Sequence, residues 1–254
     1  MIQNSMTRIE DRDLRLVALT GGGSGIGRAI ARGLAADGYN VAVLGRRMAA
    51  LEETAAGHER IAGFAADLGD AAQATAAMAR IEARFSQPID GLIVAAALYP
   101  KLHFLDQDAD SFTETVMTNI CGVANTIRPV LPGMLARNLG RIVVVGSLAD
   151  NAPIPAASAY SASKGGLHAL VKALASEVDR GRYPNVLINE LVPGATKTAM
   201  SDFGQEPEAV VDFIRMQLNF PSGGPTGRCW LGAKEIHLGE SWKRGLLRAV
   251  LRRG

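Results

Sequence analysis

The run AYSASKGG, residues 159–166, sets Tyr160 and Lys164 four positions apart among small side chains. On a helix, positions i and i+4 are neighbours, so the phenol and the ammonium would share one face. A free phenol has a pKa of about 10, too high for easy proton exchange near neutrality. A cation held beside it favours the phenolate and lowers that value. The small residues between the two leave room for ligands. The pair therefore has the means of a reversible acid/base, provided the rest of the chain brings it something to act on. By itself the spacing is equally that of two solvated side chains on a helix.

The elements that would position this pair are legible as short apolar runs alternating with longer helical stretches. Strands are expected at 14–20, 40–45, 60–66, 91–97, 141–147 and 185–192. Helices are expected over 25–38, 48–58, 71–85, much of 110–137, and 157–180, the first closed by Gly38 and the third capped by Asp70. Strands without polar alternation, separated by helices, imply a parallel central sheet flanked by helices on both faces. No Pro/Ser-rich linker and no repeat divides the chain. The expectation is an α/β protein with a single doubly wound domain over residues 1–239. It includes a loop-rich substrate lid around 199–222 and a final strand in the 219–232 stretch.

Charge and cysteine content exclude several function classes. Twenty-seven basic and 25 acidic residues leave a net charge of +2, which makes no general case for nucleic-acid binding. Cys121 and Cys229 are too few for a disulfide framework, and no Cys/His spacing matches a zinc site, so no metal is expected. Two reduced thiols, no apolar leader and no apolar run of about 18 residues imply a soluble, cytoplasmic protein. The excess positive charge lies in the extension 240–254, where Lys243, Arg244, Arg248, Arg252 and Arg253 face only Glu240. This extension is read as packing on a neighbouring subunit or as disordered, in preference to contact with an anionic membrane.

The loop TGGGSGIG, residues 20–27, follows the first strand and opens the first helix. Gly21, Gly25 and Gly27 have no Cβ, so the backbone can turn tightly and approach a pyrophosphate. The helix N-terminus then offers unpaired N–H groups, including those around Ser24 and Ile26, and a partial positive charge. A glycine loop between a buried strand and a helix points to dinucleotide binding.

With Tyr160-x-x-x-Lys164, this loop resembles the short-chain dehydrogenase/reductase family, and the resemblance runs from about residue 14 to residue 232. It implies a Rossmann-type fold and further site residues in family order. Asp67, with Leu68 after it, sits where the family's carboxylate contacts adenine. Ala95 and Ala96 fall where the chain passes the nicotinamide ribose. Asn119 stands at the family's helix asparagine, where it would hold a relay water. Ser147, thirteen positions before Tyr160, would donate to the substrate oxygen as charge builds there. Lys164 would also bond the nicotinamide ribose. Pro193, Gly194, Thr196 and Thr198 match the stretch that holds the carboxamide. Family analogy further implies a homo-oligomer, a tetramer or dimer, and places Tyr99, His103, Leu148, Asn151 and the 199–222 segment near the substrate.

The second strand ends VAVLGRR, with Gly45 where an acid would bond a ribose 2′-hydroxyl and Arg46 next. A guanidinium can pair with a 2′-phosphate, so NADP(H) is expected in preference to NAD(H). The chain departs from the family at VAAAL, residues 94–98, where Asn-Asn-Ala-Gly is usual, and at the end of the substrate pocket. The resulting expectation is an NADP(H)-dependent oxidoreductase acting on a carbonyl or secondary alcohol, with Tyr160 as the acid/base. Two alternatives stand beside it: a nucleotide-binding sensor or assembly protein without turnover, and a redox-neutral epimerase or dehydratase on the same fold.

Overall fold

The computed structural model describes residues 14–237. Among them, eight strands form one sheet: β1 (Leu16–Thr20), β2 (Asn40–Gly45), β3 (Ile61–Ala65), β4 (Gly91–Val94), β5 (Gly140–Val145), β6 (Val186–Val192), β7 (Cys229–Leu231) and β8 (Lys234–Ile236). Their spatial order is β3-β2-β1-β4-β5-β6-β7-β8, parallel throughout except for the antiparallel β7–β8 pair. The order reverses between β1 and β4. That reversal opens a crevice at the carboxyl ends of the strands, where ligands of doubly wound sheets bind.

The α-helices of the described residues cover the sheet: α1 (Gly25–Ala36), α2 (Met48–Ala55), α3 (Ala71–Phe85), α4 (Ala109–Val116), α5 (Gly122–Arg137), α6 (Ser158–Glu177) and α7 (Ala209–Leu218). Alternation along each strand builds two cores. On β1, Leu16 and Ala18 face a layer with Ile81, Ile127 and Leu167, while Val17 and Leu19 face one with Ile30, Leu34 and Ile214. Both faces of the central strands are therefore mainly apolar, with buried polar exceptions that include Arg141 of β5 and Asn189 and Glu190 of β6.

Several boundaries differ from the sequence reading. β4 stops at Val94, because the Ala95 and Ala96 N–H groups leave the ladder and both donate to Thr20 Oγ1 at 3.1 Å. The long fourth helix is interrupted by one π-helical turn, Met117–Cys121, which carries Asn119. The segment read as a loop-rich lid contains α7, whose Val210, Val211, Ile214 and Leu218 are buried. Val211 lies over Gly33 of α1, where a Cβ would come within 2.5 Å of its side chain. The final strand is a short hairpin, β7–β8, turning at Gly232 with φ +58°. Asp70 caps α3 as expected, accepting from the Ala72 and Gln73 N–H groups. Among the described residues no helix is long and apolar enough to cross a membrane. The extension 240–254 lies outside the described residues.

Candidate active site

The glycine loop is built by close approach. Gly21 has φ +72°, and a Cβ there would meet Ala96 N at 2.8 Å and Ala95 C at 2.9 Å. A Cβ on Gly27 would collide with the Gly21 carbonyl, so this glycine lets α1 start directly above β1. Gly25, at φ +48°, faces the Thr198 side chain, which brings the 193–198 stretch to the mouth of the loop. Ser24 is the N-cap residue of α1 but makes no side-chain cap bond. The first N–H groups of the helix, including that of Ile26, face this cradle, which a Cβ would fill and which fits a dinucleotide pyrophosphate.

The four predicted catalytic residues converge beyond the ends of β4 and β5. Lys164 and Asn119 are buried, and Tyr160 and Ser147 are partly so. The Ser147 side chain lies near enough to the Tyr160 phenol to favour its ionisation. Ser147 Oγ also accepts from the Ala149 N–H at 3.2 Å. Lys164 Nζ lies 5.5 Å from the Tyr160 ring centroid and donates to the Val145 carbonyl at 2.9 Å. Asn119 Oδ1 accepts from Leu98 N at 2.7 Å, and its Nδ2 donates to Leu98 O and Ser163 Oγ, each at 2.9 Å. The asparagine thus ties the segment after β4 to α6, at the place where the family resemblance implies a relay water.

The lowering expected of the Tyr160 phenol counts on Lys164 together with an oxidised nicotinamide, and the protein by itself gives the opposite direction. The phenol of Tyr160 lies above its ordinary range, because burial outweighs the opposing effect of the Ser147 side chain and Tyr99 adds to the rise. Tyr99 stacks on Tyr160 with centroids 4.7 Å apart, a contact that the run ALYP does not announce. Lys164 is itself pulled down to about 8 by burial, opposed by the charge of Glu190. In the protein alone, then, the tyrosine is held as a proton donor.

The remaining predicted residues fall around this centre. Arg46 is exposed and ion-paired with Glu114 of α4 at 2.8 Å. Asp67 is exposed, and its Oδ1 accepts from Gly69 N. Leu68 is buried, and its carbonyl accepts from Asn125. Gly194 has φ +81°, and the Pro193 carbonyl accepts from Gln205 Nε2 at 2.7 Å. Thr196 is buried and its hydroxyl donates to Gly194 O. Leu148 is half-buried and Asn151 exposed on the segment after β5. His103 is exposed, and its backbone carbonyl accepts from the Asp106 and Gln107 N–H groups.

Sequence reasoning missed a buried polar group behind the site. His168 of α6 contacts Glu190 of β6 through Nδ1 and reaches Asp150 through Nε2 at 3.2 Å. Cys229 of β7 stands beside them, its ligand atom within 4.8 Å of those of His168 and Glu190. No local spacing signals this group, since its members come from four separate parts of the chain. The one available signal is a glutamate inside the apolar run NVLINELV.

The sheet order, the crevice at its switch point and the glycine cradle define a doubly wound dinucleotide-binding protein. Residues 15–209 match the family profile described as short chain dehydrogenase. The chain is 35% identical over 219 residues to galactitol 2-dehydrogenase (L-tagatose-forming) of Cereibacter sphaeroides, covering 84% of this chain and 81% of that one. It is 34% identical over 221 residues to 2-dehydro-3-deoxy-L-rhamnonate dehydrogenase (NAD(+)) of a Sphingomonas species, covering 85% and 83%. Among solved structures, a single-site variant of actinorhodin polyketide ketoreductase with NADPH superposes with TM-score 0.78 at 25% identity, covering 87% and 96%. The chain belongs to the short-chain dehydrogenase/reductase family of oxidoreductases.

Proposed function

We propose that this protein transfers hydride between NADP(H) and a carbonyl or secondary alcohol substrate, with Tyr160 as general acid/base. The observation that carries the reading is the convergence of the Tyr160 phenol, the Ser147 hydroxyl and the Lys164 ammonium beyond the glycine cradle. The nicotinamide, when bound, supplies or accepts the hydride at the substrate carbon. Ser147 donates to the substrate oxygen as negative charge builds there, and Tyr160 gives that oxygen its proton. Burial keeps the phenol protonated, which suits the reductive direction. Asn119 holds the Leu98 backbone and Ser163 in place around the pair.

The VAAAL departure, the motive for a non-catalytic reading, leaves the strand end anchored, because Thr20 accepts from both Ala95 and Ala96. NADP(H) preference rests on Arg46, whose exposed pair with Glu114 is weak enough for a 2′-phosphate to displace. We read residues 1–239 as one catalytic domain, with 199–222 closing over the substrate around α7 and 240–254 as an appended extension. The test is NADPH oxidation, read by absorbance, across a panel of ketones. Turnover is expected with at least one. Tyr160→Phe is expected to cut kcat by about 100-fold or more while leaving KM for NADPH near its original value. Nucleotide binding without turnover on any ketone, or full activity in Tyr160→Phe, would overturn the reading.

A further inference from the structure

Glu190 is 2% exposed on the central strand β6, where a carboxylate is costly unless matched by positive charge and hydrogen bonds. It lies against the backbone of Gly146, and a Cβ there would collide with Glu190 Oε1. Gly146 separates Val145, whose carbonyl takes the Lys164 ammonium, from Ser147. His168, one turn beyond Lys164 on α6, bridges Glu190 to Asp150, three residues after Ser147.

We propose that His168, Glu190 and the partly exposed Asp150 form an ionic brace that fixes the Ser147 segment to α6 and gives the Lys164 ammonium its counter-charge. The three are positioning residues, and the proposal rests on the reading of Ser147, Tyr160 and Lys164 as the reacting groups. An imidazolium between two carboxylates uses both ring N–H groups as donors, so it satisfies one oxygen of each partner and links three elements at once. The charged and titratable groups facing the brace are Lys164 and Lys172 from α6, Asp150 from the segment after β5, and Cys229 from β7. Two carboxylates against His168 and Lys164 balance within the cluster, while Lys172 adds a positive charge from its exposed edge. Burial and Glu190 hold the Cys229 sulfur as a thiol, and both nitrogens of His168 are already engaged. This favours the brace over a metal held by His168, Glu190 and Cys229.

The brace is tested on the full chain labelled with ¹⁵N-histidine and ¹³Cε-lysine, titrated by NMR, with the His168 and Lys164 signals assigned from His168→Asn and Lys164→Met. His168 is expected to keep both N–H protons to higher pH than an ordinary imidazole, whose midpoint is about 6.5. Lys164 is expected to titrate near 8, and Glu190→Gln should lower that midpoint by about one pH unit. The basic limb of kcat for NADPH-driven ketone reduction should move down with it. Should Glu190→Gln fail to fold, Asp150→Asn replaces it. This variant is expected to lower the His168 midpoint and to reduce kcat several-fold without raising KM for NADPH. Three results would overturn the brace: a His168 midpoint at or below the ordinary imidazole value, a Lys164 midpoint unmoved by Glu190→Gln, or one equivalent of zinc in the purified protein. Absence of turnover on every ketone would sink the catalytic reading while leaving the two titrations interpretable, so the two failures are distinct.

Discussion

At the scale of single residues, the site depends as much on missing atoms as on functional groups. Gly146 has no side chain because Glu190 occupies the space a Cβ would need. Gly146→Ala is therefore expected to destabilise the protein by about 1–3 kcal/mol or more, as overpacking does. The same substitution should cost measurably less in a Glu190→Ala background, where the carboxylate is gone. A double-mutant cycle by urea unfolding reads this coupling, and strictly additive costs would contradict the contact. Tyr160 carries a different lesson. The expectation that a lysine and an oxidised nicotinamide together acidify it leaves out burial, which strips water from the phenol and raises its pKa in the protein alone.

At the scale of elements, strands and helices deliver residues to the crevice from opposite ends of the chain. The π-helical turn between α4 and α5 points Asn119 at Leu98 and Ser163 together. The end of β2 meets α4 through Arg46 and Glu114, both more than half exposed. An exposed pair of this kind is worth about 1 kcal/mol at most. Glu114→Gln should free Arg46 and lower KM for NADPH by up to about fivefold, with KM for NADH unchanged. Equal changes for both cofactors, measured side by side, would remove Arg46 from the account of cofactor choice. Helix ends are readable from sequence where their chemistry is local. Asp70 accepts from two backbone N–H groups of α3, and Gly38, at φ +92°, follows α1. Helix α7 is readable too, since Val210, Val211, Ile214 and Leu218 recur at helical spacing. The prolines and glycines on either side of it favour a loop and mask that signal.

At the scale of the whole molecule, one sheet separates two apolar layers. Leu34 of α1 lies in one and Ile127 of α5 in the other, both almost wholly buried. Each truncation to alanine should cost about 2–5 kcal/mol. Both should shift the same single urea transition, because the layers share every central strand. Two separate transitions would show that the layers unfold independently. This shared architecture also brings the glycine loop after β1 and the Ser147 segment after β5 to one crevice, joined only through β4.

The layered α/β fold, the order of strands and helices along the chain, the glycine cradle and the Tyr160–Lys164 pair were legible in the sequence. Their signals are periodicity, composition and short spacing, which are local properties of the chain. The Tyr99 stack, the Thr20 bonds that end β4 and the His168–Glu190–Asp150 cluster were decided only by the tertiary structure. Each joins residues 18 or more positions apart, and burial, which raises the pKa of Tyr160 and lowers that of Lys164, depends on every element that closes over them.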